Sequence, residues 1–346
     1  MNDRADRPTA ASDEADALEI RRATHDDYEG VVDFTGDIWT DRGGDYIPEI
    51  YHEWLENGEE AKKTFLAELE GTPVGIVQAV LLSADEAWFQ GMRVAAGHRR
   101  RGISGRLNEA CFEWARERGA TVGRIMIFSW NAVSLGAARA GGFEPLTEFR
   151  FAHLEPDPDA DGPPSHAVSR DPTAAWRYWT HSDARTHLRG LGLAPEESWA
   201  MREVTRSDFD RLADETAVFA VEDENDGLAG AAYRSRTYER TVTPDEDGGE
   251  GNATATGSES DGEIESESAS DSETERWAEY GVGAWDDVEA ARALFAAVAR
   301  DAAALGADGT RVLIPETARF VSDASYAGAS LSEEPDFVFG IDLSGA

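Results

Sequence analysis

The chain has 346 residues, 41% of them hydrophobic, which is enough for two domains of roughly 150 residues, each with its own core. Asp and Glu (69) outnumber Lys and Arg (32), and the resulting net charge of −37 argues against binding of nucleic acid. No apolar run approaches the roughly 20 residues of a membrane span, and the acidic amino terminus lacks the apolar core of a signal peptide. The single cysteine, Cys111, excludes an intramolecular disulfide and a cysteine-based metal cage. We therefore expect a cytoplasmic protein with no nucleic-acid or membrane partner.

The acidity belongs to the whole chain. The tract 241–275 holds 12 acidic residues and no Lys or Arg, but taking those 12 away from −37 still leaves −25. Lys62 and Lys63 are the only lysines. Surface acids at this density repel one another in dilute buffer and are screened in concentrated salt. Such a composition resembles that of proteins from salt-loving archaea.

The first half of the chain alternates predicted strands and helices. Residues 1–17 are expected to be a disordered tail. A strand at 18–23 precedes a helix that begins at a capping pair, Thr24 and Asp27, and runs to about Trp39. The later predicted elements are a helix at 47–55, a hairpin with strands at 65–69 and 74–82, a strand at 88–94, a helix from Ile103 to about Gly119, a buried strand at 125–128, a helix at 131–140 and a strand at 148–154.

Short motifs of the first half recur in the second. Residues 21–28 have a counterpart at 202–209, residues 119–127 have one at 306–314, and Phe149 and Phe151 match Phe337 and Phe339. These echoes predict two diverged copies of one α/β unit; chance similarity of short motifs is the alternative. The predicted organisation is a tail at 1–17, a first domain at 18–155, a linker with a helix at 156–194, and a second domain at 195–346 that contains a disordered acidic insert at 241–275.

The clearest candidate for a ligand-binding site is the segment 92–107. There a strand, an arginine-rich turn, a glycine and an amphipathic helix follow one another. A helix amino terminus offers unpaired N–H groups and the positive end of the helix dipole. Gly102 and Gly105 let a ligand approach the backbone, and the turn adds three arginines. This pattern predicts a cradle for pyrophosphate; a solvated basic turn is the alternative.

Two motifs in this half resemble a known family. Arg99-x-x-Gly102-x-Ser104 resembles the Gln/Arg-x-x-Gly-x-Gly/Ala signature of the GNAT acetyltransferase superfamily. Asn131-x-x-Ser134, followed by a Gly-Phe pair at 142–143, resembles the next helix of that superfamily. The resemblance covers about residues 18–154. It implies an α/β fold of two GNAT-like domains, each with a mixed, mostly antiparallel central sheet flanked by helices.

The second copy departs from the signature. Asp286 and Asp287 occupy the position of the turn, without its arginines or glycines. Because carboxylates repel pyrophosphate, we expect the second copy to be degenerate.

The resemblance also implies roles for individual residues. Acetyl-CoA would be the co-substrate, and an amine would attack its thioester directly while an amide N–H holds the oxyanion. Asn131 and Ser134 would lie near the arm of the cofactor that carries the thiol. The remaining implied contacts are pantetheine on the backbone of Met92, Arg93 and Val94, and pyrophosphate on Arg99, Arg100, Arg101, Gly102, Ile103, Ser104 and Gly105.

The catalytic groups are less defined by sequence. The tyrosine that often protonates the thiolate in this superfamily would fall at Ala138, which cannot donate a proton. Glu86 is the first candidate for the general base and Glu68 the second, with an ordinary surface carboxylate as the alternative for each. The histidines lack metal-ligand spacing, so no metal is expected.

The sequence thus predicts an acetyl-CoA-dependent N-acetyltransferase with an unidentified amine acceptor. One alternative is a non-catalytic acyl-CoA-binding sensor, motivated by Ala138. Another is an interaction protein that binds no CoA.

Overall fold

A computed structural model describes residues 18–36, 38–39, 44–56, 60–225, 227–242 and 273–345. The expected tail at 1–17 and most of the expected acidic insert, 243–272, lie outside the described residues. The chain divides into two compact units. Unit 1 runs to Gly123 and includes 342–346, and unit 2 comprises Arg124–Ile341.

Unit 1 is built on four antiparallel strands in the order β1-β2-β3-β4. Its strands are β1 (Leu18–Arg22), β2 (Lys62–Leu69), β3 (Thr72–Leu81) and β4 (Glu86–Val94). Its helices are α1 (Tyr28–Thr35), α2 (Ile47–Glu56) and α3 (Ile103–Arg116), with 3-10 turns at His25–Asp27 and Ala96–His98.

Helices cover the sheet of unit 1 and bury its apolar residues. Val31 and Tyr51, from α1 and α2, join Leu66 and Ile76 of the strands in one buried cluster. On α3, Ile103 and Leu107 lie so close to Gly75 of β3 that a Cβ there would come within 3.1–3.3 Å of both side chains. A glycine in β3 therefore lets α3 pack directly on the strand.

The expected first helix is shorter in the structure. Asp27 accepts a hydrogen bond from the Thr24 N–H at 2.8 Å, as a capping pair should. A 3-10 turn comes first, however, and α1 then ends at Thr35, not near Trp39.

Unit 2 contains the rest of the secondary structure. Its strands are β5 (Val122–Phe128, which begins just before the unit), β6 (Glu144–His153), β7 (His166–Ser169), β8 (Leu191–Leu193), β9 (Met201–Glu203), β10 (Ala217–Asp223), β11 (Leu228–Val242), β12 (Glu273–Trp285), β13 (Gly309–Pro315), β14 (Ser330–Leu331) and β15 (Asp336–Asp342). Its helices are α4 (Ala132–Ala140), α5 (Pro172–His181), α6 (Asp183–His187), α7 (Arg206–Glu215), α8 (Val288–Ala304) and α9 (Ala318–Tyr326).

The strands of unit 2 lie in the order β5-β15-β6-β13-β12-β11-β10-β7. Pairing is antiparallel at β15/β6, β6/β13 and from β12 through to β7, and parallel at β12/β13. The prediction of a mixed, mostly antiparallel sheet flanked by helices is confirmed.

The two repeated halves exchange their last strands. β15, at the end of the second half, lies between β5 and β6 of the first half. In turn β6 lies between β13 and β15 of the second half. Each half therefore completes its sheet with a strand from the other.

An ion pair repeats at equivalent positions in the two halves. In unit 1, Arg21 binds Asp27 at 2.6 Å; in unit 2, Arg202 binds Asp208 at the same distance. Both aspartates also accept a hydrogen bond from the N–H of a preceding threonine. The echo between 21–28 and 202–209 thus includes the same ion pair and the same threonine contact in both places.

Two features of unit 2 differ from expectation. The segment 155–170 has linker composition but contains β7, which pairs with β10. The strand β11 extends to Val242, and β12 begins at Glu273. Both ends of the expected insert therefore belong to strands.

Candidate functional site

A bulge interrupts β4 before the predicted cradle. Ile76 of β3 pairs with Arg93 and Gln78 pairs with Gln90, so β4 has one more residue than β3 over this stretch. Gly91, within the bulge, has a φ of +65°, and a Cβ there would come within 2.2 Å of the Trp54 ring. Only glycine suits this position, and the bulge bends the strand ahead of Met92.

The turn after β4 leads into α3 with two left-handed residues. A 3-10 turn at Ala96–His98 comes first, and Arg99 then donates from Nε to the carbonyl of Val94 at 3.1 Å. Arg100 has φ +62°, and Gly102, the N-cap of α3, has φ +83°. Because Gly102 has no side chain, the first N–H groups of α3 receive no cap from this residue.

The charge at this turn is positive. The side chains of Arg99, Arg100 and Arg101 are exposed, and the first turn of α3 has no acidic residue. Exposed N–H groups, the positive end of the helix dipole and three arginines together favour an anion.

The space beside the helix start is open. A Cβ at Gly102 or at Gly105 would meet no atom within 4 Å. Ser104 is half-buried, and Ile103 turns its side chain into the core. Ile103 could therefore contact a ligand only through its backbone.

The side chain of Arg93 is engaged within unit 1. It binds the buried carboxylate of Asp45 through Nε at 2.6 Å and Nη2 at 3.1 Å. The rings of Trp39 and Tyr46 lie 4.1 and 5.3 Å from its guanidinium carbon. Any contact with pantetheine at Arg93 would thus come from the backbone, as for Met92 and Val94.

Asn131 and Ser134 lie in unit 2, at the start of α4. The Oδ1 atom of Asn131 accepts a hydrogen bond from the Ser134 N–H at 3.1 Å, which makes Asn131 the N-cap of that helix. The Asn-x-x-Ser spacing therefore has a capping role as well as the role that the resemblance implies.

The two candidate bases have different surroundings. Glu68 on β2 accepts from Nε and Nη2 of Arg21, at 2.8 and 2.5 Å. Glu86 at the start of β4 is buried and accepts from the Ser83 hydroxyl at 3.2 Å.

Two side chains bear on the missing proton donor, Tyr326 and Cys111. Ala138 is buried in α4, while Tyr326 on α9 is 76% exposed. Burial raises the pKa of the Cys111 thiol well above its ordinary value, so this group stays neutral and inert.

Sequence reasoning missed a polar chain beside the bulge. Gln90 donates to the Oε1 atom of the buried Gln78 at 2.8 Å. Gln78 in turn donates to Thr64 at 3.1 Å and to the carbonyl of Trp54 at 3.2 Å. A lone polar residue on the buried face of a strand was the available signal for Gln78.

The second copy arranges the equivalent helix start differently. Asp287 caps α8 by accepting from the N–H groups of Glu289 and Ala290, at 3.0 and 2.9 Å. Asp286 accepts from the hydroxyl of Tyr178 at 2.8 Å. The carboxylate of Asp287 therefore caps this helix start, whereas Gly102 gives α3 no side-chain cap.

A large buried side chain follows the point where β12 and β13 stop pairing. The two strands pair only as far as Tyr280 and Val312. Trp285 is fully buried beyond that point, packs against Phe295 and Phe320, and donates from its indole N–H to Asp323 at 3.1 Å.

The described residues support neither a metal site nor a membrane-spanning helix. They contain no group of three or more His, Cys, Asp or Glu side chains arranged to hold a metal. Among the helices described, none has both the length and the hydropathy needed to cross a membrane.

Part of the first half is similar in sequence to known proteins. Residues 23–143 match the model of the acetyltransferase (GNAT) family. The chain is 30% identical over 106 residues to histidine N-acetyltransferase of Xenopus tropicalis, a match covering 30% of this chain and 32% of that protein. It is also 30% identical over 115 residues to "Probable N-acetyltransferase 16" of Homo sapiens, covering 32% and 30%. The chain thus spans about a third of the length of the curated relatives it matches.

Solved structures match over nearly the full length. A GCN5-related N-acetyltransferase from Sphaerobacter thermophilus aligns with a TM-score of 0.57 at 12% identity, covering 96% of this chain and 97% of that one. A tandem GNAT protein from the clavulanic acid biosynthesis pathway aligns with a TM-score of 0.50 at 14% identity, covering 95% and 99%. Identities this low show the fold alone. Residues 23–143 therefore match the GNAT acetyltransferase family model, and the chain as a whole has a fold like that of tandem GNAT proteins.

Proposed function

We propose that this protein is an acetyl-CoA-dependent N-acetyltransferase whose first copy, 18–155, binds the cofactor and transfers the acetyl group directly to an amine. The observation that supports it best is the start of α3, which is open, free of acidic residues and flanked by three exposed arginines. It follows a bulged strand within the segment that matches the GNAT family.

The residues at the cradle suit a CoA pyrophosphate. The left-handed Gly102 and the open space at Gly105 leave room for phosphate oxygens against the backbone N–H groups of 99–105. Arg99, Arg100 and Arg101 add charge-assisted contacts. Pantetheine would pair with the backbone of 92–94, and Asn131 and Ser134 would lie beside its thiol arm.

The transfer step needs a neutral amine and a protonated leaving thiolate. The amine nitrogen attacks the thioester carbonyl, an amide N–H holds the oxyanion, and the C–S bond then breaks. Glu86 is our first candidate for the base that removes the amine proton, through water, and Glu68 is the second. The ion pair that Glu68 makes with Arg21 supports this order. Because position 138 is alanine, solvent or another group would protonate the thiolate.

The second copy, 195–346, would bind no cofactor. Asp287 occupies the N–H groups of the helix start, and a carboxylate there repels pyrophosphate. Trp285, at the end of β12, is buried against Phe320 just ahead of that helix. These two features support a degenerate second copy.

The acceptor is an amine. One partial relative is named a histidine N-acetyltransferase, which supports an amino-acid-like acceptor; other small amines and protein amino groups are further candidates.

A charge reversal at the cradle tests the cofactor site. Arg101→Glu should weaken calorimetric binding of acetyl-CoA to the full chain at least tenfold, since a charge-assisted contact contributes about 1.5–3 kcal/mol. The matched control is Arg292→Glu, an exposed arginine on α8 whose reversal changes the net charge equally. Unchanged affinity in Arg101→Glu would refute the pyrophosphate assignment.

The alternative, an acyl-CoA-binding sensor, is favoured by the alanine at 138. It predicts saturable binding of acetyl-CoA without release of CoA in the presence of any amine of a broad panel. An interaction protein, the remaining alternative, predicts no binding of acetyl-CoA at all. A CoA-release assay beside calorimetry distinguishes the three functions.

We also propose a cytoplasmic, high-salt setting. The net charge of −37 and the near absence of lysine support a surface adapted to concentrated salt.

A further inference from the structure

We propose that the second copy contributes an acceptor-binding side chain, Trp199, and that the acceptor is a primary amine carrying an aromatic group. The inference rests on the proposed N-acetyltransferase function. It is carried by an aromatic cluster in unit 2, formed by Phe128, Trp130 and Trp199.

Two rings of the aromatic cluster lie on the turn that leads into α4. The Asn131 N–H donates to the carbonyl of Phe128 at 3.0 Å and closes the turn. Within it the rings of Phe128 and Trp130 are nearly parallel, with 8° between their planes and 5.3 Å between their centroids. Both are half-buried. The pair directly precedes Asn131, the residue that the proposed function places beside the cofactor thiol.

The third ring comes from the second copy. Trp199, between β8 and β9, presents its edge to Phe128 at 6.2 Å between centroids and to Phe151 at 5.6 Å. It is half-buried and has a φ of +61°. A bulky residue rarely adopts that conformation, and such strain persists only where the surroundings hold it.

A buried ionic network holds Trp199 in place. The guanidinium carbon of Arg311 lies 4.2 Å from the Trp199 ring, and Arg311 donates from Nε to the buried Glu279 at 2.7 Å. Arg236 binds the same carboxylate at 3.0 Å and donates to the hydroxyl of Ser198, also at 3.0 Å. One carboxylate thus fixes, through two arginines, both Trp199 and the residue before it.

The chemistry of the aromatic cluster suits an aromatic ammonium ion. Aromatic rings pack against other rings. The guanidinium of Arg311 already faces the Trp199 ring, so the ammonium group is best recognised by a carboxylate. An exposed carboxylate lies beside this turn, where Glu334 accepts from the Ser129 hydroxyl at 2.8 Å. An aromatic amine would therefore meet rings for its apolar part and a negative charge for its ammonium group.

The test compares two amines on the full chain, in an assay of CoA release from acetyl-CoA. In Trp199→Ala, the KM for phenethylamine should rise at least tenfold, while the KM values for ethanolamine and acetyl-CoA stay unchanged. Trp199→Phe should restore part of the loss. Trp176→Ala, at another half-buried tryptophan of unit 2, controls for removal of an indole.

The other outcomes contradict either the inference about Trp199 or the proposed function. An unchanged phenethylamine KM in folded Trp199→Ala overturns the inference, as does an equal rise for ethanolamine, which would make Trp199 merely structural. If Trp199→Ala does not fold, Trp130→Ala should show the same selective rise, and its absence overturns the inference. If the wild type binds acetyl-CoA but releases CoA with neither amine, the proposed function fails. Calorimetric binding of phenethylamine to wild type and Trp199→Ala then decides on the aromatic cluster alone.

Discussion

At Gly91 a single missing side chain makes the bulge of β4 possible. Its positive φ and the Trp54 ring, 2.2 Å from where a Cβ would lie, both exclude other residues. The bulge in turn determines how β4 enters the turn before α3. Removing this glycine should thus affect both stability and cofactor binding.

We expect Gly91→Ala to destabilise the protein by about 2–5 kcal/mol, combining left-handed strain with overpacking. Thermal melting measures the loss, and calorimetry should show weaker acetyl-CoA binding. The control is Gly97→Ala, because that glycine has ordinary backbone angles and no atom within 4 Å of a Cβ. Equal melting temperatures for Gly91→Ala and Gly97→Ala would contradict this account of the bulge.

The repeated ion pairs give a pH dependence. Hydrogen bonds from Arg21 lower the pKa of Asp27 to about 2. Burial alone would raise the pKa of Asp208, but hydrogen bonds from Arg202 and Thr205 outweigh it, and that pKa also falls to about 2. A carboxyl whose folded pKa lies below its unfolded value of about 3.9 stabilises the fold above that value, and this contribution is lost as the pH falls to 2.

Asp27→Asn should therefore melt below wild type at pH 7, and the gap should close between about pH 4 and pH 2. Melting curves across this range measure the difference in melting temperature between the variant and wild type. The many other acids titrate in both proteins, so their effect cancels in this difference. Asp26→Asn, an exposed neighbour in the same 3-10 turn, is the control and should show no such closing gap. A gap that stays constant down to pH 2 would show that the ion pair is not its cause.

Among the elements, β6 and β15 join the two halves. Their strand pairing should hold the halves together even if the chain between them is cut. β15 lies between β5 and β6, and β6 lies between β13 and β15. Removing either strand would leave unpaired backbone groups in the middle of the sheet.

A cleaved chain should therefore stay in one piece. We expect a protein with a protease site inserted after Asp159, an exposed position, to give two fragments that co-elute in size-exclusion chromatography after cleavage. The fragments should separate only in denaturant. A cleaved protein that falls apart in native buffer would show that the exchange contributes little to association.

Sequence patterns predicted these elements unevenly. The hairpin of β2 and β3 was predictable, because two apolar runs flank the turn residues Gly-Thr-Pro at 71–73. The helix α3 was predictable because the spacing of Ile103, Leu107 and Cys111 indicates one buried face. The exchange was not, because the alternation of Phe149 and Phe151 shows which face is buried but not which strand lies alongside. β7 was missed because four residues between proline-rich segments give no periodicity.

The candidate site was predicted in the same uneven way. The cradle followed from adjacent glycines and arginines, whose chemistry is local. Trp199 could not be found, because its neighbours Phe128 and Arg311 are remote in sequence and its positive φ leaves no mark in composition. Gln78 and Gln90 were also missed, although a lone polar residue on the buried face of a strand marks Gln78.

For the molecule as a whole, charge is the dominant quantity. With a net charge of −37, surface acids repel one another and oppose the compact state. The Debye length falls from about 10 Å at 0.1 M salt to about 3 Å at 1 M, so molar salt removes most of this repulsion.

We expect the melting temperature to rise substantially between 0.1 and about 2 M KCl. Deleting 245–272 should leave most of the rise in place, because most of the net charge lies elsewhere in the chain. Calorimetric melting of the wild type and the deletion variant over this salt range measures the rise in melting temperature. A deletion variant without salt dependence would locate the effect in the acidic tract.

The exchanged strands also constrain how the protein is made. β6 ends at His153, whereas β15 begins only at Asp336. At 5–20 residues per second, a ribosome needs roughly 10 to 40 seconds to synthesise the chain between them. Throughout that time the nascent first copy has β5 and β6 but not the strand that lies between them. Its sheet can close only after β15 has been synthesised, so the first copy cannot finish folding until most of the second copy has been made.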